Sequence, residues 1–173
     1  MSLVFVENNE KFYLSIIRCK MKRLTRRFII KSLDNLNLSN PIRYERYYIN
    51  DFLRVQKKDN KFEKEVLDKN NYIIDKKIIE EKEFLQIITK AQDKIIRDSY
   101  LLLDDANISI KKYLGRFDGL IRVEIKFKTQ NEMNYYKIPS WVGKEVTNSP
   151  LAFDNLLRKL TEKEFRIELN KYN

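Results

Sequence analysis

Apolar and ionic side chains alternate along residues 120–128, so that Ile121, Val123, Ile125 and Phe127 fall on one side of a period-two strand and Arg122, Glu124, Lys126 and Lys128 on the other. One face is ionic at every position. A strand divided in this way either faces bulk water or lines a polar cavity. Residues 21–30 predict another strand, and 42–49, rich in aromatic and β-forming types, a further one. Asn50 and Asp51 make a turn, 52–56 a strand, 57–60 a second turn and 62–66 a strand, which together read as an antiparallel meander. After a strand over 71–79 the period changes: Phe84, Leu85, Ile87, Ile88 and Ala91 share one helical face within 80–91.

The turn-rich tetrad Asp104-Asp105-Ala106-Asn107 separates 95–103 from 108–114 and predicts a hairpin leading through Gly115 to the charged strand. Short helices are expected over 132–137 and 150–160, and Thr161 with Glu164 has the spacing of a capping box that opens a final helix through Leu169. About eight strands with several helices agree with an α+β fold built on an antiparallel barrel in which alternate side chains point inward.

The 173 residues, 43% apolar, suit one domain with a sizeable core, and 3 Gly with 3 Pro leave no flexible linker. Apolar runs such as 101–103 are too short to span a bilayer. The first residues lack the pattern of a signal peptide, so a cytoplasmic location is expected. Cys19 stands alone, which leaves no internal disulfide. No histidine occurs, which removes histidine acid–base chemistry and most zinc or transition-metal sites. Any metal would be a hard cation held by oxygens. With 35 Lys and Arg against 25 Asp and Glu, net +10, the chain suits an anionic partner: nucleotide, polyphosphate or nucleic acid.

Trp141-x-Gly143-x-Glu145-Val146-Thr147, followed by Pro150, Phe153 and Asn155, resembles the C-terminal signature W-x-G-x-E-V-T then D-P-x-Y-x-N of the CYTH family, the triphosphate tunnel metalloenzymes. Phe117-Asp118-Gly119-Leu120 with Val123-Glu124-Ile125 is similar to that family's F-x-G-x-x-G-L-x-x-x-E-I-E segment. Order and spacing correspond from Phe117 to Asn155. There are departures: Phe153 stands for the tyrosine after one extra residue, Ser149 for the aspartate and Lys126 for the last glutamate. Residues 21–30 sit where the family begins with a methionine and E-x-E-x-K, which makes Met21 an alternative start. The chain then divides into an extension over 1–20, with added strands around 3–6 and 12–17, and a CYTH-like domain over 21–173. The resemblance implies an antiparallel eight-stranded tunnel-like β-barrel with peripheral helices, its interior carrying basic residues for a triphosphate and glutamates for magnesium or manganese.

The substrate-binding set it implies is Arg27, Arg54, Lys64 and Arg97, to which Arg122 and Lys126 add charge on the strand at 120–128. Arg27 aligns with the lysine of E-x-E-x-K, Arg54 with the first arginine of an R-x-R pair, Lys64 with the next strand's lysine, and Arg97 with the lysine ahead of K-x-R-Y. Guanidinium forks and ammonium charges neutralise and orient a phosphate chain. Singly, each of these residues reads as a solvated surface cation; together they predict a lined anion site.

The acidic half of the family pattern is eroded. Arg23 and Thr25 stand where the first two glutamates would be, Ser109-Ile110-Lys111 replaces E-I-D, and Ser99 replaces the K-x-R-Y arginine. Glu124, with Glu63 and Glu65, is the candidate metal set for Mg²⁺ or Mn²⁺, and Glu45 is a further acid able to reach a lumen. The alternative role for the β-meander acids is pairing with Arg43, Lys64 or other cations across strands. A divalent ion on one carboxylate beside several cations would be repelled by several kcal/mol. Metal dependence is therefore in question.

Three function classes follow. The first is a divergent CYTH-like protein that binds a triphosphate-containing anion, nucleotide or polyphosphate, in a basic tunnel with weak or absent metal-dependent hydrolysis. The second is an active metal-dependent triphosphatase acting on tripolyphosphate or a nucleoside triphosphate, with an adenylate cyclase behind it. The third is an RNA or single-stranded nucleic-acid binder that uses an outer surface of Tyr44, Tyr47 and Tyr48 interleaved with Arg43 and Arg46.

Overall fold

Eight alternating segments pair into one antiparallel sheet in the computed structural model, which describes residues 24–172. The expectations for the extension over 1–20, its added strands, Met21 and Arg23 lie outside the described residues. The strands are β1 (Leu24–Ile29), β2 (Ile42–Tyr48), β3 (Leu53–Lys58), β4 (Lys61–Leu67), β5 (Ile73–Ile78), β6 (Asp93–Leu102), β7 (Asp105–Leu114) and β8 (Ile121–Phe127). Their spatial order is β1-β8-β7-β6-β2-β3-β4-β5. Helix α1 (Glu81–Ile88) joins β5 to β6, while α2 (Gln130–Tyr135), the one-turn α3 (Asp154–Leu157) and α4 (Glu162–Asn170) follow β8. The architecture is the expected α+β one, an eight-stranded tunnel-like sheet with peripheral helices. Among the described residues, β1 and β5 are its edges, so the tunnel is curled and not sealed by a hydrogen-bonded seam.

The register decides which side chains share the inner face. Arg27 of β1 lies opposite Glu124 of β8, and Glu124 opposite Ser109 of β7. Arg122 pairs with Lys111, Lys111 with Ser99, and Tyr113 with Arg97. Arg97 lies opposite Tyr44, Arg46 opposite Gln56, and Arg54 opposite Glu65. Period two therefore carries one polar row from strand to strand across the whole sheet.

The opposite, outer face is apolar near β8. Phe28, Ile108, Ile110, Val123, Ile125 and Phe127 are buried there under Leu33, Leu36, Met133, Tyr136, Ile138 and Trp141. The ionic face thus points into the tunnel, and Leu120–Phe127 alternation is read inside out relative to an ordinary half-buried strand. At one end the inner face turns apolar: Ile29, Tyr48, Ile95 and Tyr113 pack on Leu151, Leu157, Phe165 and Leu169 from the C-terminal segment. That segment stoppers the tunnel.

The W-x-G-x-E-V-T stretch has a mechanical role. A Cβ on Gly143 would meet the Ile29 carbonyl oxygen at 2.3 Å, so only glycine allows the chain to approach β1 this closely. The Ile29 amide donates to the Lys144 carbonyl at 3.0 Å and the Val146 amide to the Arg27 carbonyl at 2.7 Å, which covers the free edge of β1. Glu145 then pairs with Arg26 at 2.6 Å, and Thr147 Oγ1 accepts from the Arg27 amide at 2.9 Å.

Several boundaries shift. The hairpin turn contracts to Leu103 and Asp104, because Asp105 already pairs with Leu102. Residues 150–160 form no continuous helix: a 3₁₀ turn (Pro150–Ala152) precedes α3. The α1 face expected to be apolar buries only Phe84, against Tyr47 and Phe62 at centroid distances of 5.7 and 4.8 Å, and leaves Leu85 exposed. The Thr161–Glu164 capping box forms in full.

Candidate functional site

Three carboxylates organise the cations of the inner face. The first is Asp154, which begins α3 and is presented to the sheet from the C-terminal segment. Tyr113 Oη donates to its Oδ1 at 2.6 Å, Arg122 Nη2 to Oδ1 at 3.0 Å, Arg46 Nη1 to Oδ2 at 3.0 Å and Arg97 Nε to Oδ2 at 3.3 Å. Strands β8, β7, β6 and β2 each contribute one donor, so curvature of the sheet is what lets them meet. Burial alone would raise the Asp154 carboxyl, but Arg97, Arg122 and Arg46 outweigh it and hold the group well below the usual range.

Glu124 is the second. Lys111 Nζ lies 2.5 Å from its Oε2, and Arg122 Nη2 and Arg27 Nε lie 3.0 and 3.5 Å from Oε1. Burial opposes ionisation here too, yet Lys111, Arg122 and Arg27 keep the carboxyl below the ordinary range. Burial pushes the Lys111 ammonium down to about 7, with Glu124 opposing that push and Arg97 and Arg122 adding to it. The Arg27 guanidinium also stacks on Phe153, 4.4 Å from the ring centroid. The Nε atoms of Arg27 and Arg122 are buried without a hydrogen-bond acceptor among the described residues.

Glu65 is the third, fully buried and bonded by Arg54 Nε at 2.7 Å, with Lys76 Nζ at 3.4 Å. Gln56 links it to the rest: its Nε2 donates to Glu65 at 3.3 Å while its Oε1 accepts from Arg46 Nη2 at 2.7 Å. Glu63 pairs with the same Lys76 at 2.8 Å. One network therefore runs from Glu65 through Gln56, Arg46, Asp154 and Arg122 to Glu124 and Lys111.

Of the residues singled out in the sequence, Arg27, Arg54, Arg97 and Arg122 reach this network. Lys126 shares their face but is exposed, one step beyond Glu124 at the end opposite the stopper. Lys64 requires correction. Its neighbours Glu63 and Glu65 point inward, so period two turns Lys64 outward, where its Nζ lies 3.4 Å from Glu83 of α1. The outer aromatic and basic surface around Tyr44 to Tyr48 is also not one surface. Tyr44, Arg46 and Tyr48 face inward, Tyr47 packs under Phe84, and Arg43 forms an exposed pair with Asp98.

Arg46, Lys111, Tyr113 and Asp154 are the members that sequence reasoning missed. Register to Arg97 and Arg54 could have placed the first three. Asp154 carries no such signal, since it stands at the start of the one-turn α3, outside the strands whose period assigns a face.

The acids do not fit a divalent metal. Among the described residues no three acidic side chains gather at one point. Glu63 and Glu65 lie on β4 and Glu124 on β8, with four strands between them. Each already holds an ammonium or guanidinium group, and Mg²⁺ or Mn²⁺ would have to displace these cations.

No family profile and no curated protein matches the chain. A solved structure described as the inorganic triphosphatase NE1496 superposes with a TM-score of 0.68 at 16% identity, covering 82% of this chain and 97% of that one. A second, described as the hypothetical protein NE1496, gives a TM-score of 0.67 at 16% identity over 79% of this chain and 97% of that one. The chain has the fold of that triphosphatase. At such identity the likeness extends to the fold alone. Among the described residues, no helix is long and apolar enough to cross a membrane.

Proposed function

We propose that this protein binds a triphosphate-containing anion, a polyphosphate or a nucleoside triphosphate, on the basic inner face of its tunnel, with weak or absent metal-dependent hydrolysis. One observation carries the reading: Arg27, Arg46, Arg97, Lys111 and Arg122 crowd around only two carboxylates, Asp154 and Glu124, leaving an excess of positive charge in a largely buried site. Excess buried charge is costly unless an anion or water meets it. The unaccepted Nε atoms of Arg27 and Arg122 lie in the same place. A phosphate chain supplies several acceptor oxygens and matches arginine forks.

Isothermal titration with tripolyphosphate, ATP and GTP, each with and without Mg²⁺, tests this. Binding that persists without Mg²⁺ and weakens as salt screens the site is expected. Failure of all three anions to bind rejects the proposal.

The fold shared with an inorganic triphosphatase favours a second reading, that the protein hydrolyses such an anion with a metal. Glu63, Glu65 and Glu124 would then have to surrender their present cations. Phosphate release dependent on Mg²⁺ or Mn²⁺ and lost in Glu124→Gln would support this over simple binding.

A further inference from the structure

We infer that Asp154 is a built-in competitor for the anion site: its carboxylate occupies Arg46, Arg97 and Arg122 as a bound ligand would, and so sets how highly charged an external anion must be to enter. This rests on the anion-binding reading proposed above. Both carboxylate oxygens are saturated by two donors each, three of the four being guanidinium groups. Cations arranged to receive an anion have thus been given one by the chain itself.

The backbone that carries Asp154 is held by more than the three arginines on its carboxylate. Leu151 and Leu157, on either side of it, are fully buried and belong to the apolar stopper, and Ala152 is buried beside them. Ser149 accepts from the Leu151 amide at 3.1 Å, and the Leu151 carbonyl accepts from Arg122 Nη1 at 2.8 Å. Arg158, just past α3, is tied to Asp93 at 2.7 Å. Tethering holds the acid at a high effective concentration. A small anion that reaches only Arg46, Arg97 and Arg122, such as orthophosphate, must displace the carboxylate that Asp154 already supplies to them. A polyphosphate differs because its charges can engage Arg27 and Lys111 as well and compete for the shared Arg122.

The variant Asp154→Asn keeps the shape and removes the charge. Titration calorimetry on wild type and variant, with tripolyphosphate and separately with orthophosphate, gives the test. Asp154→Asn is expected to bind tripolyphosphate about tenfold tighter or better and to gain orthophosphate binding that wild type lacks. Asp154→Glu, which restores the charge, should return to weak binding. Wild type that binds tripolyphosphate while Asp154→Asn binds it equally or less tightly overturns the inference and leaves the site reading intact. If neither protein binds, the site reading itself fails. Should Asp154→Asn be unfolded in plain buffer, tripolyphosphate is expected to refold it, because binding to the native state alone shifts that equilibrium; no recovery of circular dichroism at saturating tripolyphosphate also overturns the inference.

Discussion

The Nη2 atom of Arg122 lies 3.0 Å from Asp154 Oδ1, joining β8, the neighbour of the edge strand β1, to the C-terminal stopper. The same nitrogen is 3.0 Å from Glu124 on its own strand. Arg122 is therefore the point where the Asp154 and Glu124 centres are connected, and the arrangement depends on a residue that is 2% exposed.

Replacing Arg122 by Met should destabilise the fold by about 1–3 kcal/mol, because the buried Leu151 carbonyl and one oxygen of Asp154 lose a donor while Arg46, Arg97, Lys111 and Arg27 keep both carboxylates paired. Tripolyphosphate binding should fall with it. Lys64→Gln is the contrast. Its pair with Glu83 is solvent-exposed, so urea denaturation should register a change within about 0.5 kcal/mol and anion affinity should not move. A large loss of affinity in Lys64→Gln would contradict the outward placement of that side chain.

Lys111 predicts a pH dependence. Its folded value of about 7 lies below the ordinary 10.5, so between these limits the unfolded chain binds more protons than the folded one. The contribution of this group to stability therefore grows as pH rises from about 7 towards 10. Urea midpoints of wild type, measured relative to Lys111→Met, should climb through that window. A difference that stays flat would mean the ammonium is not depressed. Bound tripolyphosphate would favour the charged form, so calorimetry near pH 8 in buffers of different ionisation enthalpy should detect proton uptake.

Gly143→Ala tests the edge contact with β1. The added methyl meets backbone, which cannot swing aside as a flexible side chain could. A loss of about 1–3 kcal/mol is expected, measurable as a lower thermal midpoint. Unchanged stability would show that residues 144–146 are not held against β1.

Thr161→Ala removes the cap that satisfies the Glu164 amide at 3.2 Å. A cost of about 1 kcal/mol is expected, because α4 carries Phe165 and Leu169 into the stopper. Anion affinity should be unaffected, which chemical denaturation and calorimetry on the same preparation can establish.

Local pattern alone identified most of the strands, the final helix with its cap, and the ionic face at Arg122 and Glu124, since period and turn chemistry act between residues close in the chain. Arg27, Arg54 and Arg97, drawn from the resemblance to the CYTH motifs, were found on the inner face. Lys64 was not legible, because a face cannot be assigned until the register with β3 is known, and a displacement of one residue reverses every side chain. Arg46 was misjudged alongside its tyrosines on the same ground.

Residue order thus specified the set of elements and their alternation of apolar and charged positions. Tertiary structure alone decided which face became the lumen, that α3 would set Asp154 among arginines from three strands, and that the surviving glutamates would each take a cation. The physical reason is that charge pairing in this tunnel joins residues as far apart as Arg46 and Asp154. No local preference encodes that meeting; only the curl of the sheet and the docking of the stopper bring it about.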